Sequence, residues 1–219
     1  MIVNHTIRTL YLDGNRFNDA CAPFFAEVFA HNERITYINL NKNFFENETT
    51  GRLFGQSLTE NPSLEELHLA WNHLNSKACG YILKSLATNE RLITLDLSWN
   101  GAGLFAAKAT YELLRINKIL ENLYLANNRL NTECATYIGK GLGKNVTLKN
   151  LTLNGNPLES SGCYAVLRPL VKNPESVLQS VDFRRIIINR DFIDLLNELS
   201  GILPGLVVKN GSEGDVDVV

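Results

Sequence analysis

Leucine, isoleucine and other apolar residues return along this chain in a fixed phrase, L-x-x-L-x-L-x-x-N-x-L, with isosteric exchanges. Copies begin at Ile7, Ile35, Leu64, Leu92, Leu120 and Leu148, so the steps are 28 or 29 residues. The cleanest copy, 120–130, reads LENLYLANNRL. Within it L-x-L puts two apolar side chains on one face of a short strand. One such strand cannot bury that face alone, so successive copies must stack on a shared core. After each phrase the apolar spacing changes from two to three and four, as in Cys21, Phe25 and Phe29, which predicts a helix. Equivalent helices are predicted near 48–59, 76–88, 103–116, 132–144, 160–172 and 190–203. The pattern therefore predicts an α/β solenoid of about seven strand–helix units over 1–209, the last starting near Leu178.

Two rows of asparagine run through the units. Asn15, Asn43, Asn72, Asn100, Asn128 and Asn156 follow the strands, where their amides are expected to satisfy backbone groups in the bend. Asn32, Asn61, Asn89, Asn117, Asn145 and Asn173 follow the helices, where the expectation is a left-handed helix terminus. Ala102 stands where a leucine is expected, and Leu104 or Phe105 is expected to fill the gap. A closing strand is predicted at 206–208, and the glycine- and acid-rich tail 210–219 is expected to be disordered. At the other end Asn4-His5-Thr6-Ile7 repeats the junction Asn145-Val146-Thr147-Leu148. The chain thus opens at the tail of a unit, so the expectation is that it is a fragment of a longer solenoid or that a partner covers this end, with self-association through the uncapped repeat.

Composition narrows the class. The 219 residues carry a formal charge of −2, with no global field for nucleic acid or an anionic membrane. No apolar run has the length of a spanning helix, and no signal-peptide pattern follows Met1, so a soluble, cytoplasmic protein is expected. Cys21, Cys79, Cys134 and Cys163 recur 14 or 15 positions into their units and form no CxxC pair, which predicts small packing residues. The sequons at Asn4, Asn47, Asn145 and Asn210 are read as incidental.

The phrase, the full helix and the 28-residue period resemble leucine-rich repeats of the ribonuclease-inhibitor type. The resemblance covers about 4–209 and implies a horseshoe with its parallel sheet concave and its helices convex. Similar phrases, such as LDLSWN at 95–100, occur in NOD-like receptors, the Ran GTPase-activating protein and leucine-rich-repeat-containing proteins of unassigned function. What the resemblance implies is binding, foremost of a protein. Two alternatives accompany it: a regulator of an enzyme of the Ran GTPase-activating kind, and a fragment of an innate-immune receptor.

Catalytic chemistry finds little purchase. His68, Asp96 and Ser98 fall on one sheet face, but a triad needs histidine between nucleophile and acid in a site that excludes water. No histidine clusters with metal-ligating partners, and no cofactor is implied. The glycine run 138–144 lacks the phosphate-loop spacing and is read as a loosely packed helix. The informative residues are the outward ones. One row runs Tyr11, Asn39, His68, Asp96, Tyr124, Thr152, Asp182, and a second runs Gly14, Lys42, Trp71, Trp99, Asn127, Gly155, Arg185. The only two tryptophans are thus in register on adjacent units, and tryptophan and tyrosine carry large binding area at low entropy cost. The expected partner surface is Trp71, Trp99, His68, Asp96, Tyr124, Tyr11 and Asn39, with Arg184 and Arg185 as its basic end.

Overall fold

The structure is a computed structural model that describes residues 4–211 and 217–218. Eight strands stack in parallel in sequence order: β1 Thr9–Tyr11, β2 Tyr37–Asn39, β3 Glu66–His68, β4 Thr94–Asp96, β5 Asn122–Tyr124, β6 Asn150–Thr152, β7 Ser180–Asp182 and β8 Val207–Lys209. A ninth, β9 Asp217–Val218, pairs antiparallel with β8. Between strands run α1 Ala22–His31, α2 Glu48–Thr59, α3 Ser76–Ser85, α4 Leu104–Ile116, α5 Thr132–Leu142, α6 Glu159–Leu167 and α7 Arg190–Ser200. Each of the eight parallel strands is three residues long, centred in β1–β7 on the first apolar position of L-x-L. The central apolar residues Leu10, Ile38, Leu67, Leu95, Leu123, Leu151, Val181 and Val208 lie in register. From Ile38 onward all of these are buried, facing helix residues such as Phe54, Ile82, Leu113 and Ile138.

Asparagine starts the helices as well. Asn47, Asn75, Asn131 and Asn189 sit extended at the N-caps of α2, α3, α5 and α7, their side-chain oxygens accepting from first-turn N–H groups. The post-strand row forms a ladder between units. Asn128 Nδ2 donates to Leu125 O at 3.1 Å in its own unit and Leu97 O at 3.0 Å in the previous one, while its Oδ1 accepts from Ala102 N at 2.8 Å. Asn43, Asn72, Asn100 and Asn156 repeat this pattern, as the bend chemistry predicts.

Three local expectations need correction. The helix-end asparagines are not left-handed: Asn32, Asn89 and Asn117 have φ of −85, −69 and −68°. They form a second ladder instead. Asn89 Oδ1 accepts from Arg91 N and Leu92 N, and its Nδ2 reaches back to Leu58 O at 2.7 Å. Neither Leu104 nor Phe105 fills the place beside Ala102, which is itself fully buried while both larger residues are part-exposed. The Phe105 ring lies across Gly80 on the preceding helix, leaving the narrower core there to alanines Ala102, Ala106 and Ala107. The glycine run is tightly packed rather than loose. A Cβ on Gly139 would overlap the carbonyl of Ala165, so its absence lets α5 approach α6.

Cys79, Cys134 and Cys163 are buried and Cys21 half-buried, all four as free thiols; burial pushes Cys79 and Cys163 up to about 12. Asn145 is buried within its ladder, which leaves no room for a glycan there. Of the acidic tail, Asn210 is buried and Asp217–Val218 pairs with β8; 212–216 and 219 lie outside the described residues.

Candidate functional site

The alternation that buries Leu67 and Leu95 turns their neighbours to the opposite face. Strand register aligns Tyr11, Asn39, His68, Asp96, Tyr124, Thr152 and Asp182 in one row across the sheet. Two residues earlier a parallel row carries Thr9, Tyr37, Glu66, Thr94, Asn122, Asn150 and Ser180. The sequence reading passed over this row, although the period of two that exposes His68 exposes Glu66 as well. Its members matter. The ring of Tyr37 lies 5.2 Å from that of Tyr11 and 5.1 Å from that of His68, so three aromatic rings run diagonally across β1–β3. Farther along, Asn122 Nδ2 donates to Thr94 Oγ1 and Asn150 Nδ2 to Asn122 Oδ1, a polar relay over β4–β6.

His68 stands between two carboxylates. Its Nε2 is 3.4 Å from Glu66 Oε2 and its Nδ1 is 3.9 Å from Asp96 Oδ2. Asp96, then Glu66, holds the imidazole above its ordinary pKa against the opposing effect of burial. Tyr124 and Tyr37 are raised too, first by burial and then by negative neighbours that for both include Glu66. The backbone N–H of Ser98 donates to Asp96 Oδ1 at 2.9 Å.

The second row takes a different geometry. Gly14, Lys42, Trp71, Trp99, Asn127, Gly155 and Arg185 all have φ between 52 and 69°. The chain needs left-handed backbone where it leaves each strand, which explains the two glycines and the asparagine. At Trp71 and Trp99 a large side chain accepts that cost, and the two indoles stack with centroids 3.9 Å apart and planes 13° apart. They remain 48% and 40% exposed. Trp99 also walls a cleft of about 740 Å³ on the turn edge with His73, Lys77 and Arg129. The tryptophans thus join each other and this edge, beside the His68 row rather than stacked on it.

At the far end Asp182 is buried and clamps Arg184, with Arg184 Nη2 2.6 Å from Asp182 Oδ2 and Nε bonded to both carboxylate oxygens. The basic end is therefore partly neutralised in place. Arg185 N–H donates to Gly211 O. Among the described residues no group of three His, Cys, Asp or Glu side chains converges as a metal site would require.

Comparison with known proteins places this geometry in a class. The family model described as Leucine Rich repeat matches 60–82, which holds the third phrase and the start of α3. Leucine-rich repeat-containing protein 74B of Homo sapiens is 39% identical over 51 residues, 23% of this chain and 13% of that protein's length. Among solved structures, Leiomodin-1 Actin-Binding Site 2 superposes with a TM-score of 0.57 at 22% identity, covering 68% of this chain and 86% of that one. With six copies of the phrase and the parallel sheet, the fold is a leucine-rich repeat solenoid.

Proposed function

We propose that the chain is a non-enzymatic interaction module that holds a protein partner on the exposed sheet face, the concave side of a horseshoe of the ribonuclease-inhibitor type, in the cytoplasm. One observation carries the reading. The face aligns Tyr11, Tyr37, His68 and Tyr124 in rows beside an exposed tryptophan stack, while every alternate residue from Ile38 onward is sealed in the core. Exposed aromatics on a rigid scaffold offer binding area without ordering cost. The module reading also fits a sheet face with open access to water, where Tyr11 is 70% exposed.

Affinity capture with mass spectrometry tests it. Proteins retained by the native chain should be lost with Tyr37→Ala combined with Tyr124→Ala, and kept with Lys108→Glu on α4 of the helical side. Loss with the helix variant and retention with the sheet variant would move the binding surface to the helices.

A further inference from the structure

We propose that the sheet face between β2 and β5 receives a basic partner segment, whose guanidinium or ammonium group lies against the carboxylates of Glu66 and Asp96, with Tyr37 and Tyr124 flanking them. This rests on the interaction-module reading and adds the chemistry of what is held.

The outward positions of β1–β6 are Thr9, Tyr11, Tyr37, Asn39, Glu66, His68, Thr94, Asp96, Asn122, Tyr124, Asn150 and Thr152, and none is lysine or arginine. Five carboxylates elsewhere have a lysine or arginine partner: Glu48 has Lys77, Glu112 has Arg115, Glu121 has Lys149, Glu198 has Arg168 and Asp182 has Arg184. On the sheet face Glu66 and Asp96 share one ion-pair partner, His68, at 3.4 and 3.9 Å. One imidazole neutralises at most one of the two carboxylates, so the group keeps a net negative charge on the surface. Tyr37 on β2 and Tyr124 on β5 flank the carboxylates, and aromatic rings attract cations. An acidic segment would meet like charge here. A bare divalent cation would find two carboxylates where it needs about six oxygen ligands.

The test is titration of the full chain with the capped peptide Gly-Arg-Gly-Arg-Gly-Arg-Gly and its citrulline and glutamate counterparts, followed by NMR shifts of the Tyr37 and Tyr124 ring protons. The arginine peptide should shift both rings and bind about tenfold or more tighter than the citrulline peptide. Its binding should weaken with salt, and E66Q together with D96N should reduce it about tenfold at unchanged melting temperature. Equal binding of arginine and citrulline peptides, or full affinity in the double variant, overturns the inference. If the arginine peptide does not bind while the Tyr37/Tyr124 variant still loses its captured proteins, the module stands and the cation falls. Loss of neither removes both.

Discussion

Trp71 and Trp99 sit where glycine or asparagine would cost least, at φ of 55 and 56°. Left-handed backbone disfavours a large side chain by about 1–3 kcal/mol. The stack at 3.9 Å offsets part of that, and aromatic pairs contribute about 0.5–1.5 kcal/mol beyond their burial. Nearby, His68 makes the face sensitive to pH. Its pKa is raised in the folded chain, so its share of stability is complete below the unfolded value of about 6.5 and disappears as pH rises through the folded value. The urea midpoint of the native chain should therefore exceed that of His68→Gln more at pH 5.5 than at pH 8.5 (about one unit below and two above the free imidazole). In NMR titration D96N should lower the imidazole pKa more than E66Q, since Asp96 is the larger influence. An imidazole titrating at its free value in the native chain would contradict the arrangement. At this scale the sequence showed which residues share a row but not their backbone. The two glycines and Asn127 in the Trp71 row were the visible signs of left-handed geometry, and a row that also holds lysine, arginine and tryptophan masked them. The helix-end asparagines misled for the converse reason. Asparagine suits a left-handed terminus and an Asx turn alike, and only the carbonyl waiting in the neighbouring unit decides between them.

Strands of three residues cannot stand alone, and two asparagine ladders tie them. Each ladder amide bonds the unit before it, so its loss should act between units as well as within one. Asn128→Ala would strip partners from buried backbone groups at Leu97, Leu125 and Ala102. The expected loss is about 1–3 kcal/mol, with a broadened denaturation transition as coupling weakens. Asn15→Ala should be near neutral, because Asn15 is exposed and reaches only Asp13 O in its own bend. Similar losses from both would remove the ladder from the account. Elements were the most legible scale, since the phrase marks the strands and an asparagine follows each of the first six helical segments. Packing depth was not legible. Whether Ala102 is a gap or a tight site depends on how closely α3 and α4 approach, and Gly80 decides that from another unit. Likewise the glycines of α5 read as weak helix formers until Ala165 on α6 is seen against Gly139.

At the scale of the whole molecule, β1 forms one edge of the sheet among the described residues, and apolar side chains stand exposed around it. Phe24 is 73% and Tyr11 70% exposed, and Phe44 and Ile7 are open as well. Leu12, Phe17, Phe25 and Val28 line a shallow apolar groove there. A parallel edge strand beside such a groove invites association. Sedimentation of this chain should show concentration-dependent self-association that Phe24→Glu relieves; a monomer at every concentration, with slow amide exchange in β1, would contradict it. The junction at Asn4 made this end legible, whereas the groove required the fold. The central claim separates the two faces of one sheet. Leu125 is fully enclosed, so Leu125→Ala should cost about 2–5 kcal/mol of stability. Trp71→Ala and Trp99→Ala act on the outside and should cost far less. The decisive measurement is the affinity of a captured protein partner for each tryptophan variant, taken alongside its unfolding curve. The account predicts that each loses about 2 kcal/mol of binding, a factor of about 30, with stability nearly intact. Early unfolding of both variants with affinity at the native value would contradict it.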